Sequence, residues 1–234
     1  MPDAKVAIVT AAGRGMGAAV ARELAERGYR LALMSPSGAA AKLADELGAI
    51  GVTGSVTKPA DLETLVKRTM DAHGRIDALV NNTGGPPKGK LLDIPDADWH
   101  TGLDMVLLSV TRMAQLVTPI MLKQRGGAIV NITTFATFEP EAAFPVSGAM
   151  RAALSAWSKI YSDAYASQGI RINNLLPGYI DSYAPNDKNV ARIPMGRYGT
   201  TREIARTVAF LLSDDAGYIT GQNIRVDGGI TRAL

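Results

Sequence analysis

Short apolar runs alternate with amphipathic stretches along almost the whole of this 234-residue chain. Apolar runs of about four to eight residues between turn residues are typical of buried strands, whereas apolar residues spaced three and four apart indicate helices. Regular alternation of the two predicts a parallel sheet covered by helices on both faces. The predicted strands are Lys5–Thr10, Arg30–Met34, Ala49–Thr53, Asp77–Asn81, Ala128–Ile132, Arg171–Leu176 and Asn223–Val226. We therefore expect one Rossmann-type α/β domain over residues 1–234, with a doubly wound sheet of seven parallel strands.

Amphipathic stretches fill most of the connections between these strands. After the first helix, the predicted helices are Ala39–Leu47, Pro59–His73, about Ala97–Gln124, about Pro145–Gln168 and Thr201–Leu212. The stretch from about Gly178 to Thr200 shows little periodicity and follows a strand. Ligands bind beyond the carboxyl ends of strands in open α/β sheets, so this stretch is predicted to be a substrate loop.

Composition excludes several other classes of protein. Lys and Arg number 25 against 22 Asp and Glu, with no run of like charges, so we expect no nucleic-acid partner. Cysteine is absent and only His73 and His100 could offer nitrogen ligands, so we expect no metal site. The N-terminus lacks the pattern of a signal peptide, and no apolar run approaches the ~20 residues of a membrane span. The sequence predicts a soluble cytoplasmic protein without membrane contact.

A glycine-rich turn joins the first predicted strand to the first predicted helix. It contains Gly13, Gly15 and Gly17. Glycine at these positions allows tight backbone bends and lets a pyrophosphate approach the N–H groups at the positive end of a helix. The position of the turn, directly after a buried strand, predicts a dinucleotide site.

Several motifs, in order along the whole chain, resemble those of the short-chain dehydrogenase/reductase family. Thr10-Ala-Ala-Gly-Arg-Gly-Met-Gly17 resembles the family's Thr-Gly-x-x-x-Gly-x-Gly, with Ala11 at the first glycine. Asn81-Asn-Thr-Gly84 resembles Asn-Asn-Ala-Gly, and Ile170–Gly178 resembles the strand that ends in Pro-Gly beside the nicotinamide. The C-terminal stretch through Val226-Asp-Gly-Gly229 is similar to the end of bacterial β-ketoacyl carrier-protein reductases.

The resemblance implies a set of cofactor contacts along one edge of the sheet. They are Thr10, Gly13, Arg14, Gly15, Met16, Gly17, Ser35, Ser55, Val56, Asn82, Thr83, Gly84, Thr133, Pro177, Gly178, Ile180 and Ser182. NAD enzymes usually carry an acid after the second strand, and here that stretch is Met34-Ser35-Pro36-Ser37. Ser35 and Arg14 would tolerate a 2′-phosphate, which favours NADP(H) and leaves NAD(H) open. The alternative for Arg14 is contact with the pyrophosphate or with solvent only.

The catalytic tetrad of the family is where the resemblance fails. In family members Tyr donates a proton to the substrate oxygen, Lys lowers the pKa of that Tyr and holds the ribose, Ser binds the oxygen, and Asn orders a relay water. Aligned from the neighbouring motifs, these positions fall at Val106 for Asn, Thr134 for Ser, Phe144 for Tyr and Gly148 for Lys. The resemblance therefore implies an atypical active site that lacks the usual acid.

Four residues are predicted to replace the tetrad. Thr134 keeps a hydroxyl that could bind a substrate oxygen. Arg151, seven residues after Phe144, could reach the cofactor ribose or a substrate carboxylate, or could be a surface or interface arginine. Tyr179 and Tyr183 follow Pro177-Gly178 and are candidate proton donors, with water as the alternative. Glu139 and Glu141 precede the long helix and could face the substrate, although exposed loop carboxylates are usually solvated. Tyr161 and Tyr165 are predicted to be packing residues.

The seven-residue spacing resembles that of the enoyl carrier-protein reductases of the same superfamily. Hydride addition to a conjugated C=C leaves an enolate that solvent can protonate, so loss of a dedicated acid matters less there than in alcohol formation. The predicted function is an NADP(H)-dependent oxidoreductase acting on a carbonyl or conjugated carbonyl compound. The resemblance also implies a homotetramer or homodimer. The alternative is a catalytically silent dinucleotide-binding protein that serves as a sensor or oligomer subunit.

Overall fold

A seven-stranded parallel sheet forms the centre of the molecule. The computed structural model describes residues 4–233. The strands are β1 Val6–Val9, β2 Arg30–Ser35, β3 Ile50–Thr53, β4 Ala78–Asn81, β5 Gly127–Ile132, β6 Ile170–Pro177 and β7 Asn223–Val226. Their order in the sheet is β3-β2-β1-β4-β5-β6-β7, and every neighbouring pair is parallel. The predicted Rossmann-type α/β fold is confirmed, and each strand end lies within one residue of its prediction.

Helices cover both faces of the sheet. They are α1 Gly15–Glu26, α2 Ala39–Leu47, α3 Pro59–His73, α4 Asp96–Leu103, α5 Ser109–Gln124, α6 Pro145–Tyr165, α7 Asp187–Val190 and α8 Thr201–Leu212. Side chains alternate across a strand, so Ala7 and Val9 belong to the core shared with α1, α2 and α8, whereas Ile8 belongs to the core on the other face, shared with α3, α5 and α6. Burial of apolar side chains on both faces explains why the strands read as continuous apolar runs.

The predicted helix over about Ala97–Gln124 is continuous but contains a π-helical turn. That turn, Asp104–Leu108, joins α4 to α5 and holds Val106 buried at 2% exposure. By length and composition alone, the helix over Asp96–Gln124 could span a bilayer. The sequence analysis expected no such segment, since Ser and Thr interrupt the apolar run, but these residues lower the mean hydropathy only slightly. Core helices of soluble proteins pass the same test, and 44% of its most apolar window is buried within the fold.

Four asparagines form a ladder across the sheet that the strand predictions do not reveal. Asn81, Asn131, Asn174 and Asn223 lie in register on β4, β5, β6 and β7. Their side-chain amides are joined by hydrogen bonds of 2.8 Å from Asn81 to Asn131 and 2.9 Å from Asn131 to Asn174 and from Asn174 to Asn223. Ser158 on α6 joins the same network. Buried amides need partners, so the ladder fixes the relative positions of these strand ends.

Candidate active site

The glycine-rich turn forms a close-packed cradle at the start of α1. Gly15 has φ +55°, a left-handed conformation that favours glycine. A Cβ atom on Gly17 would lie 2.3 Å from the carbonyl oxygen of Ala11, so no side chain fits there. Ala11 itself has φ +46° at the position where the family carries glycine. The first N–H groups of α1 are thereby left accessible to an anion, as a pyrophosphate site requires.

Hydrogen bonds tie this turn to the end of β4. The Thr10 hydroxyl donates to the carbonyl oxygen of Asn82 at 2.7 Å and accepts from the Asn82 N–H at 2.9 Å. The Asn82 amide donates to Ala11 O at 3.3 Å. The next residue, Thr83, has a buried hydroxyl with no partner within residues 4–233. Thr10 and Asn82 therefore position the backbone, and the Thr83 hydroxyl is available to a ligand.

The end of β2 carries no acid. Ser35 is buried, and its hydroxyl accepts from the N–H of Ala40 at 2.9 Å, so it anchors the start of α2. The Arg14 guanidinium is exposed and has no hydrogen-bond or ion-pair partner in the described part of the chain. Arg14 thus remains available for a phosphate beside the glycine cradle. Farther along the rim, Ser55 donates its N–H to the Asp61 carboxylate at 2.8 Å, and Val56 packs against the core.

A cavity of about 360 Å³ lies beyond the carboxyl ends of β5 and β6. The glycine cradle borders it through Met16, and the stretch after β6 supplies a large part of its wall. The lining residues are Met16, Gly85, Pro86, Lys88, Thr133, Thr134, Phe135, Phe144, Ser147, Arg151, Pro177, Gly178, Tyr179, Ile180, Ser182, Tyr183, Ala184, Asn186, Asn189 and Tyr198. The cavity brings together all four predicted catalytic residues, Thr134, Arg151, Tyr179 and Tyr183.

Ser147 and Arg151 face this cavity one turn apart on α6. Arg151 is 7% exposed, and its Nη1 donates to the Ser147 hydroxyl at 2.5 Å. Burial lowers the pKa of Arg151 to about 10, which leaves it cationic at neutral pH. Sequence reasoning missed Ser147, although its four-residue spacing from Arg151 on a helix places both on one face.

The alignment of the family Tyr and Lys with Phe144 and Gly148 does not fit this geometry. Phe144 lines the cavity with an apolar ring from the residue before α6. Gly148 is buried against the loop after β5, where an added Cβ would lie 3.4 Å from Ala136 O. The cavity-facing pair with the family's four-residue spacing is Ser147 and Arg151. Ser147 and Arg151 are thus an alternative to Phe144 and Gly148 for the family positions.

Two threonines end β5 at the floor of the cavity and have different surroundings. The Thr133 hydroxyl donates to Leu175 O at 3.0 Å, so it joins β5 to β6. Thr134 is half-buried, and its hydroxyl accepts only a long, 3.4 Å contact from the N–H of Ala136. The proton of the Thr134 hydroxyl is therefore free for a ligand in the cavity.

The two candidate tyrosines differ in environment. Tyr179 packs between Phe135 and Tyr198 and accepts a 3.2 Å hydrogen bond from Arg192. Burial, followed by the nearby Glu141 carboxylate, raises the pKa of Tyr179, which makes it a weaker acid. Tyr183 is 71% exposed at the cavity rim.

Neither glutamate before α6 is merely solvated, contrary to the sequence expectation. Glu141 forms an ion pair with Arg192 from the stretch after β6. Glu139 accepts from the backbone N–H groups of Arg232 and Ala233, the latter at 2.8 Å. The structure thus uses both carboxylates to hold other segments around the cavity. Tyr161, by contrast, is buried and packs at a tilt against the rings of Trp157 and Tyr165, as a packing residue does.

Comparison with known proteins identifies the class to which this architecture belongs. The sequence profile of the enoyl-(acyl carrier protein) reductase family matches residues 10–231. The chain is 37% identical over 242 residues to a 3-oxoacyl-(acyl-carrier-protein) reductase of Staphylococcus epidermidis, covering 97% of this chain and 98% of that protein. The corresponding Escherichia coli reductase is 36% identical over 239 residues, with the same coverage. The chain belongs to the short-chain dehydrogenase/reductase family of oxidoreductases.

Two solved structures are similar over nearly the full length. One is YwfH, described as an NADPH-dependent reductase involved in bacilysin biosynthesis. It has a TM-score of 0.93 and 27% identity, covering 99% of this chain and 100% of that one. The other is L-sorbose reductase from Gluconobacter frateurii in complex with NADPH and L-sorbose. It has a TM-score of 0.90 and 25% identity, covering 99% and 98%.

Proposed function

We propose that this chain is an NADP(H)-dependent reductase that transfers hydride between the nicotinamide and a carbonyl or conjugated carbonyl compound at a non-standard active site. The observation that carries the proposal is the hydrogen bond between the buried Arg151 and the half-buried Ser147, both of which line the cavity with Thr134. Two hydroxyls and one guanidinium converge there, where the family has Ser, Tyr and Lys. The buried Val106 lies where the resemblance places Asn, so the proposal includes loss of the tetrad.

The residues at the sheet edge fit NADP(H). The glycine cradle would hold the pyrophosphate, and the buried Thr83 hydroxyl, which has no partner within residues 4–233, is available to the cofactor. Arg14 is available to a 2′-phosphate, and the end of β2 carries no acid that would repel that phosphate. Both similar solved proteins are described with NADPH. NADPH, when bound, supplies the hydride for reduction. We assign the remaining cofactor contacts as the sequence predicts them. Among these residues, Thr10 and Asn82 act by holding the backbone of the cradle, and Ser35 acts by holding the start of α2.

The hydroxyls of Ser147 and Thr134 would bind the substrate oxygen. Because the Ser147 oxygen already accepts from Arg151, its own proton is free to point into the cavity. Thr134 offers a second hydroxyl proton from the end of β5. Donors aimed at an oxygen that gains negative charge lower the barrier most when water is excluded. The neighbouring guanidinium adds a positive charge at the same place.

This arrangement stabilises an oxyanion better than it delivers a proton. Serine and threonine are very weak acids, and the pKa of Tyr179 is raised, so none of these groups matches the acid strength of the family's tyrosine. Reduction of a conjugated C=C needs only a stabilised enolate, which solvent protonates afterwards. We therefore favour a conjugated carbonyl substrate, with Tyr183 or water at the rim as the proton source.

Three further parts of the proposal concern the surroundings of the site. Residues 178–200 act as the substrate loop, because many of them line the cavity and because α7 and the Arg192–Glu141 pair hold the loop across it.

The protein forms a homotetramer or homodimer through the two long helices and the C-terminal segment, as its family resemblance implies. The cytoplasmic location stays a prediction.

The test begins with nucleotide binding. Purified protein is titrated with NADPH and NADH while nicotinamide fluorescence is followed, and the complex is then offered paired substrates such as 2-cyclohexenone and cyclohexanone. We expect tighter binding of NADPH and preferential loss of nicotinamide absorbance with the enone. Absence of binding at millimolar nucleotide would refute the proposal. Binding without turnover of any conjugated or simple carbonyl would favour the silent dinucleotide-binding protein.

Variants then test the assigned roles. Removing one oxyanion donor costs about 10²–10³ in turnover, so Ser147→Ala and Thr134→Val should each lower kcat/KM by roughly that factor without changing the Kd for NADPH. The matched control is Ser155→Ala, two turns farther along α6 and outside the cavity. Turnover that survives the Thr134→Val, Ser147→Ala double variant would show that this pair is not the oxygen site.

A further inference from the structure

The cavity wall has an unbalanced charge. Two cationic side chains, Lys88 and Arg151, line it, and no Asp or Glu does so within residues 4–233. Arg151 is buried, whereas Lys88 is exposed. Cavities lined by charge of one sign concentrate ligands of the opposite sign. Arg151 also belongs to the pair that carries the proposed function, whereas Lys88 is a separate observation.

Arg151 is a buried charge that has no counter-ion within residues 4–233. Its only side-chain partner is the neutral Ser147 hydroxyl, and its Nε is buried with no hydrogen-bond partner among the described residues. Removing a guanidinium from water costs free energy that an anionic, hydrogen-bonding partner offsets. With five N–H donors and one protein bond, Arg151 keeps most of its capacity for a ligand.

Lys88 provides the second cation. Its ammonium lies 4.9 Å from the centre of the Phe144 ring, and that ring also lines the cavity. No carboxylate within residues 4–233 lies in ion-pair distance of Lys88. Contact with the aromatic face holds the ammonium beside the cavity without neutralising it.

The remaining walls restrict the kind of anion. Phe135, Phe144, Tyr179 and Tyr198 contribute aromatic surface to a cavity of about 360 Å³, which the nicotinamide has to share. A planar carboxylate matches the guanidinium fork, and a singly charged group costs less to desolvate in such surroundings than a phosphate dianion. The phosphates of the cofactor have their own place at the glycine cradle with Arg14.

Resting on the proposed function, we infer that the substrate carries a carboxylate near its reacting carbonyl group, and that Arg151 and Lys88 bind it. The Ser147 and Thr134 hydroxyls bind the carbonyl oxygen, while the free edge of Arg151 takes the carboxylate. Oxo acids and unsaturated oxo acids have this arrangement, whereas the corresponding esters and amides lack the charge. Arg151 and Lys88 therefore determine the preference of the enzyme for acids over the corresponding esters and amides.

Binding of a matched acid and ester tests this inference without turnover. The protein is saturated with NADP⁺, which cannot reduce a ketone, and is titrated calorimetrically with benzoylformate, methyl benzoylformate and phenylphosphonate. We expect benzoylformate to bind about tenfold tighter than its ester, as a charge-assisted bond allows. Arg151→Met should bring the ratio close to one, and Lys88→Met should lower it about threefold. Lys90→Met is the matched control, an exposed lysine outside the cavity that should leave the ratio unchanged.

Other results would overturn the inference. These are equal binding of acid and ester, no binding of the acid at millimolar concentration, or a ratio that Lys88→Met and Arg151→Met both leave unchanged. Tighter binding of phenylphosphonate would assign the cations to a phosphate-bearing group instead. Lys88 is exposed, so its variant remains informative even if Arg151→Met does not fold. Failure of the nucleotide to bind would refute the proposed function, and the acid–ester comparison can then be repeated on nucleotide-free protein.

Discussion

The glycine cradle and the cavity are neighbouring parts of one sheet edge built on different principles. The cradle depends on backbone shape. Gly17 leaves room for the carbonyl of Ala11. The Thr10 hydroxyl donates to the carbonyl oxygen of Asn82 and accepts from the N–H of the same residue. The cavity depends on side chains, among them the buried Arg151 guanidinium, which has no counter-ion in the described part of the chain. Backbone shape accommodates the same cofactor across a family, whereas cavity side chains can change with the substrate.

The asparagine ladder runs across β4 to β7 close to both parts, and of the changes considered we expect the one at its centre to have the largest effect on stability. Asn131→Ala removes hydrogen bonds to Asn81, Asn174 and Ser158 from a site with 0% exposure. Leaving a buried polar group unpaired costs about 1–3 kcal/mol. At roughly 2–4 °C per kcal/mol for a chain of this size, we expect the Tm to fall by about 2–12 °C in a thermal melt.

The edge of the ladder supplies the control for this prediction. Asn223 on β7 is half-buried and has a single ladder bond, from Asn174. Asn223→Ala should therefore lower the Tm much less than Asn131→Ala does. Equal effects at the centre and the edge would mean that the ladder does not hold the strands together.

The contrast between cradle and cavity also explains what could be predicted from sequence. Strands and the cradle follow from local patterns, apolar runs and spaced glycines, so β1 to β7 and the turn at Gly13 to Gly17 were predictable. The ladder was not, because Asn81, Asn131, Asn174 and Asn223 are far apart in sequence and share a row only through strand register.

The cavity was predictable only in part. Thr134 and Arg151, which the sequence singles out, both line the cavity. Ser147 lines it too but was not singled out, because the loop before α6 lacks the periodicity that would place it on the face of Arg151. The roles of Glu139 and Glu141 depend on residues distant in sequence, the C-terminal segment and Arg192, that no local pattern identifies. Most contacts between cavity side chains join residues that are distant in sequence, so they could not be predicted from local patterns.

A substitution in the cradle sharpens the comparison because it changes backbone shape and touches no side chain of the cavity. Gly17→Val would place a side chain against the Ala11 carbonyl, 2.3 Å from the Cβ position. Overpacking costs about 1–3 kcal/mol, and tenfold in affinity is about 1.4 kcal/mol, so we expect the Kd for NADPH to rise roughly tenfold to a hundredfold. Fluorescence titration measures the Kd, and a thermal melt of the same sample separates lost binding from lost folding. Wild-type affinity in a folded variant would contradict a backbone-built cradle.

The smallest effect is expected on the cavity side, at the ion pair that holds the substrate loop. Arg192 contacts both Glu141 and the Tyr179 hydroxyl, but the side chains of Arg192 and Glu141 are 44% and 17% exposed. Solvent-screened pairs contribute about 0.2–1 kcal/mol, so Arg192→Met should raise the substrate KM only about two- to fivefold, without changing the Kd for NADPH. Added salt should raise the KM of the wild type more than that of the variant. Lys159→Met, which breaks the exposed pair with Asp163 on α6, is the control. A larger effect on NADPH binding than on KM would mean that the loop serves the cradle rather than the cavity.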